Sequence, residues 1–105
     1  MEARVGKTRV RKANKRVGAW LSADDEQVHL LGYGVYVGDE VPGPEVGGLG
    51  EFVRTLGHTN PKIVLDSGKV VWGCECWWGS EDEMVRKIAG RRVVDVDIDE
   101  VRRAT

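Results

Sequence analysis

Apolar residues alternate with polar ones, or form short runs, along most of the chain after position 16, which is typical of β-strands. Residues 17–21 predict a first short strand, and the acidic segment 22–26 predicts a turn. Residues 28–37 predict one long strand or a bulged pair. The clearest pattern is a β-hairpin, in which residues 63–65 and 69–72 flank the turn Asp66-Ser67-Gly68 and the second strand continues to Trp78.

Helical spacing occurs twice. Apolar residues from Val46 to Leu56 recur at helical intervals before Gly57, which predicts a short helix over about 46–56. Ser80 and Glu83 have the spacing of a capping box, and the apolar residues that follow predict a helix over about 81–89. Arg86, Lys87 and Arg91 lie at its C-terminal end, which favours positive charge. A closing strand is expected where three apolar residues alternate with Asp95, Asp97 and Asp99.

These elements predict an α+β, mainly β fold. We expect a small, strongly bent sheet or open barrel of about five strands, with the helix at about 81–89 covering one end. The 105 residues are enough for one domain and not for two. The expected organisation is a basic N-terminal arm over 1–15 and a single compact domain over 16–105.

The charge is unevenly distributed. Residues 1–16 hold seven basic side chains and one acidic, a net charge of +6, whereas the remaining residues have a net charge of −7. Such an arm can bind nucleic acid through its phosphates. Alternatively, the arm folds back on the acidic body of the same chain. This alternative is supported by the body itself, which offers no basic surface that would help the arm to bind nucleic acid. The residues predicted to contact phosphate are Arg11, Lys12, Lys15 and Arg16.

The main candidate site is a predicted binding surface on the strand over 70–79. Strand alternation places Glu75 and Trp77 on one face, as an acceptor beside an aromatic ring. A neighbouring strand would present Tyr36, so that a flat heterocycle could stack between Tyr36 and Trp77. Alternatively, Trp77 itself covers the bare glycines of that strand. The predicted ligand-binding residues are Gly32, Gly34, Tyr36, Gly73, Glu75 and Trp77.

Other chemistry finds little support in the sequence. Cys74 and Cys76 are the only cysteines, which favours a reducing, cytoplasmic setting, and they lack the further ligands of a structural zinc site. The row of Asp95, Asp97 and Asp99 lacks the remaining ligands of an EF-hand and is expected to be a solvated strand face. No nucleophile or phosphate-loop motif is present, and no cofactor or enzymatic activity is expected. No apolar run approaches the length of a membrane span.

Two segments resemble small uncharacterised accessory proteins encoded by tailed bacteriophages. The first is Gly32-Tyr33-Gly34-Val35-Tyr36-Val37-Gly38-Asp39-Glu40-Val41-Pro42, and the second runs from Asn60-Pro61-Lys62-Ile63 through Val71-Trp72-Gly73-Cys74-Glu75-Cys76-Trp77-Trp78-Gly79. The resemblance covers roughly residues 16–98. It implies a phage protein made inside a bacterium, and it assigns no functional residues. Small phage proteins with aromatic-lined pockets include some that sequester nucleotide immune signals, which is a similarity of size and setting alone.

Three functions are therefore considered. The leading hypothesis is a non-catalytic protein that binds or sequesters a small molecule, with a nucleotide-like signal as the candidate ligand. The first alternative is a small nucleic-acid-binding barrel that uses the basic arm. The second is an adaptor or inhibitor that docks on a host protein through exposed tryptophans. A homo-oligomer could build a shared pocket, and no membrane partner is expected.

Overall fold

The computed structural model of the protein describes residues 15–46 and 49–104. Over these residues the chain forms six strands and three short helices. The strands are β1 Lys15–Ala23, β2 Gln27–Glu40, β3 Asn60–Leu65, β4 Val70–Trp72, β5 Trp77–Ser80 and β6 Arg92–Asp95. The helices are α1 Leu49–Leu56, α2 Glu81–Ile88 and α3 Ile98–Arg103. None of the helices in this part of the chain is long and apolar enough to span a membrane.

All the strands belong to one sheet, in which the long strand β2 is central. The order β4-β3-β2-β1-β5 is antiparallel throughout, and the sheet does not close into a barrel. The short strand β6 pairs in parallel with the first residues of β2, beside the part that pairs with β3. The expected fold class, a small mainly β sheet with helices packed on it, is confirmed.

The two faces of the sheet carry separate apolar cores. On the face that packs against α3, Val17 and Ala19 of β1 join Ile63 of β3 and Ile98 of the helix. On the opposite face, Val28 and Leu30 of β2 pack against Met84 of α2. We call these the α3 face and the α2 face. α3 and α2 therefore stabilise the fold by covering opposite apolar faces of the same sheet.

A bulge in β2 changes which side chains share a face. Ala19 pairs with Gly32 and Trp20 pairs with Leu30, so Leu31 is an extra residue in the strand. Gly32 adopts a φ of 143°, a conformation that favours glycine. As a result, Leu31 packs on the α3 face together with Tyr36, although simple alternation places them on opposite faces.

The expected continuous strand from Lys69 to Trp78 is wrong. It breaks into β4 and β5, and residues 73–76 between them form a turn in which the Glu75 N–H donates to the Trp72 carbonyl at 2.8 Å. Gly73 is required here because a Cβ at this position would lie 2.7 Å from the Pro61 ring. This short turn connects β4 and β5, which are the first and last strands in the order β4-β3-β2-β1-β5. The sheet is therefore bent so that these two edges approach each other.

The helices begin largely where local signals place them. The Ser80 side chain accepts from the Glu83 N–H at 3.1 Å, and the Glu83 carboxylate accepts from the Ser80 N–H at 3.0 Å, so the predicted capping box is present. α1 lies within the predicted range of about 46–56, and Gly57 follows it with a positive φ of 74°. Both predicted helices are confirmed.

The expected closing strand is shorter than predicted. β6 ends at Asp95, and Asp97 becomes the N-cap of α3 by accepting from the Asp99 N–H at 3.0 Å. Lys69 contacts the carboxylates of Asp97 and Asp99 at 2.7 and 3.1 Å. The acidic row is therefore not a solvated strand face, because two of its three members start a helix and bind a lysine from the β3–β4 turn.

Two glycines allow the close packing of this sheet and give a test of it. A Cβ at Gly34 would lie 2.7 Å from the Leu65 Cα, and one at Gly18 would lie 2.6 Å from the Met84 Cγ. Both Gly34→Ala and Gly18→Ala are expected to destabilise the protein by about 1–3 kcal/mol. The loss should be larger for Gly34→Ala, because backbone cannot move aside as a methionine side chain can. Urea unfolding measures both, and equal stability of Gly34→Ala and wild type would contradict this packing.

Candidate functional site

One candidate site is a cleft of about 460 Å³ where the turn over 73–76 meets β1 and the start of β5. Its lining is formed by Leu21 and residues 73–78. The volume lies within the usual range of small-molecule sites. Trp77 lines this cleft with 67% of its surface exposed, the largest value among the big apolar side chains that the structure describes. We call this site the Trp77 cleft.

Two adjacent tryptophans of β5 point to opposite faces of the sheet. Trp77 pairs with Trp20 across the β1–β5 ladder, so the two rings share the α2 face. Trp78 packs on the α3 face and stacks on Tyr36, with ring centroids 5.1 Å apart. The expected sandwich of a ligand between Tyr36 and Trp77 is therefore wrong, because Tyr36 is already stacked on the other tryptophan.

Tyr36 is further occupied by its hydroxyl group, which donates to the Asp39 carboxylate at 2.7 Å. This hydrogen bond, together with burial, raises the pKa of Tyr36 above its usual value. The ring and the hydroxyl group of Tyr36 both have partners within the protein, and Tyr36 is not part of the Trp77 cleft lining.

Glu75 forms a nearly buried ion pair with Arg102. The Arg102 Nη2 and Nε donate to the two carboxylate oxygens at 2.7 and 2.8 Å, and the two side chains are only 13% and 10% exposed for Arg102 and Glu75. Hydrogen bonding to Glu75 raises the pKa of the guanidinium group. Glu75 was expected to accept a hydrogen bond from a ligand, but Arg102 occupies both of its oxygens. Sequence alone gives no sign of this partner, which lies on a helix that the sequence did not predict.

The same ion pair covers the open edge of β4. Val70 and Trp72 direct their backbone groups away from β3, since the flanking Lys69 carbonyl and Gly73 N–H bond to β3 residues. Arg102 donates to the Val70 carbonyl at 2.9 Å, and Glu75 accepts from the Trp72 N–H at 3.1 Å. Two side chains thus take the place of a neighbouring strand, which protects an exposed sheet edge from pairing with another chain.

The predicted glycine surface is covered by the protein itself. The Leu65 methyl groups lie 3.7–3.8 Å from where a Cβ of Gly32 would be, and Gly34 is buried against the backbone of β3. Neither glycine faces the Trp77 cleft. Of the six predicted ligand-binding residues, the structure places Gly73, Glu75 and Trp77 in the cleft lining and the other three elsewhere.

The predicted phosphate contacts divide into three cases. Arg11 and Lys12 lie outside the described residues. Lys15 is exposed at the start of β1. Arg16 donates to both oxygens of Asp66 at 2.7 and 3.0 Å and to Glu81 at 3.2 Å. Arg16 therefore joins β1 to the β3–β4 turn and the start of α2, and its charge is already balanced by two carboxylates.

The two cysteines are free thiols in the wall of the cleft. Burial, with the nearby Glu75 charge, raises the pKa of Cys76 to about 12 and raises that of Cys74 as well. Cys76 also contacts the Trp72 carbonyl at 3.5 Å. Among the described residues, no group of three or more His, Cys, Asp and Glu side chains is arranged to hold a metal ion.

Sequence reasoning missed two neighbours of the cleft. Leu21 lines it, and Lys87 places its ammonium group 4.8 Å from the centre of the Trp20 ring. Lys87 was interpreted only as a favourable charge at a helix end. The cross-strand pairing of Trp20 with Trp77 is what brings this cation near the cleft, and no local pattern reveals it.

Comparisons with protein-family models, with curated proteins and with solved structures found no match to this chain.

Removal of one member of the Glu75–Arg102 pair provides the first test of this arrangement. Glu75→Ala is expected to lower the free energy of unfolding by about 3 kcal/mol, because Arg102 is then left nearly buried without its carboxylate. Thermal and urea unfolding measure the loss. The matched control is Glu40→Ala, which removes an exposed partner of Lys62 and should cost less than about 1 kcal/mol. A loss as small as that of the control would show that the pair is not structural.

Thiol chemistry provides a second test. Because raised pKa values keep both thiols protonated at neutral pH, labelling of the folded protein by a disulfide reagent is expected to be slow. The rate should increase as the pH rises toward the pKa values, and Cys74 should react before the more buried Cys76. Cys74→Ser and Cys76→Ser identify the two phases. Rapid labelling of Cys76 at neutral pH would contradict its buried position.

Proposed function

We propose that this protein is a non-catalytic binding module that captures a flat, ring-bearing small molecule of nucleotide type in the Trp77 cleft. The observation that carries the proposal is a largely exposed indole on the rim of a cleft large enough for such a molecule. Tryptophan is enriched at interfaces, because its large apolar ring and its N–H group can both contact a ligand or partner.

The chemistry of the cleft suits stacking better than charge pairing. Leu21 and Trp77 both line the cleft with apolar surface, and the turn over 73–76 forms another part of its wall. A base stacked on an aromatic side chain contributes about 1–3 kcal/mol. Glu75 then serves the ligand indirectly, because its pairing with Arg102 holds the turn that forms one wall.

Capture without turnover is favoured by the state of the reactive groups. The carboxylate of Glu75 is held by Arg102, and burial keeps both thiols protonated. A general acid or base needs a pKa near the working pH and access to the substrate, and a nucleophilic cysteine needs a thiolate. These groups therefore act as walls of the site. The proposed setting is the reducing cytoplasm of a phage-infected bacterium.

The test is a titration with nucleosides and nucleotides, for which adenosine, AMP, ADP and cyclic AMP are suitable probes. Binding is expected to quench tryptophan fluorescence, because the ring of the probe covers Trp77. Trp77→Ala should weaken binding about tenfold or more, while Trp77→Phe should retain part of the affinity through its smaller ring. Isothermal titration calorimetry measures both variants without relying on the indole.

The control is Phe52→Ala, which removes another exposed aromatic side chain, 58% exposed on α1, far along the chain from the cleft. It should leave binding unchanged. If no probe binds the wild type, the small-molecule function is wrong. Trp77 would then be tested as the anchor of a protein partner by comparing capture of host proteins on wild type and Trp77→Ala.

A further inference from the structure

We propose that the Trp77 cleft belongs to a longer surface that binds single-stranded nucleic acid, with a base on Trp77 and the phosphates on a cationic rim. The rim consists of Arg86, Lys87, Arg91 and Arg92. This inference rests on the proposed function, because it uses the same stacking residue, and it specifies the class of ligand.

The first observation is where the unpaired cations lie. The rim places four cations within seven residues, and no acidic residue occurs between positions 84 and 94. None of the four forms an ion pair with a carboxylate within the part of the chain that the structure describes. Five other described cations do form such pairs, namely Arg16, Arg54, Lys62, Lys69 and Arg102. The folded body therefore carries a cluster of cations that form no ion pair with a described residue, although Asp24 and Glu83 lie close enough to Arg91 and Arg86 to interact with them electrostatically.

The second observation is that packing places Lys87 of this rim over the ring that pairs with the exposed indole. α2 lies on β1 with Met84 over Gly18, and one turn later Lys87 lies over the Trp20 ring at 4.8 Å. Trp20 pairs directly with Trp77 across the β1–β5 ladder. Directly paired side chains on one face of a sheet are neighbours, so the cation lies next to the pair of indoles.

The rim is also held in place by polar contacts. The Arg91 Nη1 donates to the Lys87 carbonyl at 2.9 Å, and the Arg92 guanidinium group donates to the Gln27 side chain. A helix C-terminus accounts for cations in its last turn, such as Arg86 and Lys87. It does not account for Arg91 and Arg92, which follow the helix and extend the charge to the start of β6.

This extent favours a chain of phosphates over a single nucleotide. The rim runs from the last turn of α2 to the first residue of β6, whereas one base and its phosphate would need only Trp77 and the cation nearest to it. Aromatic side chains that stack bases beside a positively charged track are the arrangement by which proteins bind single strands without reading sequence.

The experiment measures binding of fluorescently labelled oligothymidylate to the full chain by anisotropy at several salt concentrations, with AMP as a second probe. Trp77→Ala is expected to weaken oligothymidylate binding about tenfold or more. Lys87→Gln should reduce the slope of log affinity against log salt by about 0.7, the value for one phosphate contact on a single strand. The matched control is Arg103→Gln, which removes the same charge from α3, on the opposite face, and should leave the slope unchanged.

The outcomes separate the inference from the function on which it rests. If AMP binding depends on Trp77 while Lys87→Gln and Arg103→Gln bind oligothymidylate alike, the inference is overturned and the small-molecule function stands. The inference is equally overturned if oligothymidylate binding is unchanged in Lys87→Gln and is lost when Arg11 and Lys12 are replaced by glutamine. If neither probe binds the wild type, both proposals are wrong.

Discussion

The ion pair between Glu75 and Arg102 is the interaction on which the arrangement of this protein depends. It joins the last helix to the turn between β4 and β5, and it binds two of the backbone groups that β4 presents at its open edge, the Val70 carbonyl and the Trp72 N–H. A charge buried this far is tolerable only when its partner is close and its hydrogen bonds are complete. That requirement holds residues 73–76 in a compact turn and prevents β4 from continuing as a strand.

The position of Trp77 follows from that turn. Because the chain leaves β4 at one edge of the sheet and enters β5 at the other, β5 begins at Trp77 and alternates from there. Trp78 faces inward onto Tyr36, and Trp77 faces outward beside Trp20. Two adjacent indoles thus have different roles: one completes a core, and the other is exposed beside the cleft that carries the proposed function.

The cations of the described residues also fall into two groups, those that form ion pairs and those that do not. Arg16, Lys69 and Arg102 are balanced by carboxylates from distant parts of the chain, and each joins two elements of the fold. The cations of residues 86–92 form no ion pair among the described residues, and Lys87 lies over the Trp20 ring, which pairs with the exposed indole. A protein with a net charge of −1 can therefore present a local cluster of cations, because charge is distributed unevenly over its surface.

The sequence by itself determined the features that depend on neighbours a few residues apart. The β3–β4 hairpin, the capping box of α2 and the mainly β class all follow from local periodicity and turn chemistry, and the structure contains them. It also singled out Trp77 and Glu75 as unusual. It could not show that Leu31 is an extra residue in β2, which reverses the faces of the residues after it.

Only the tertiary structure decided what Glu75 and Trp77 do. The partner of Glu75 lies 27 residues away on a helix that local periodicity did not predict, and the neighbour of Trp77 lies on a strand 57 residues earlier. Strand alternation assigns faces correctly only while a strand continues, and a single turn resets it. The candidate site therefore depends on long-range pairing, which local pattern does not contain.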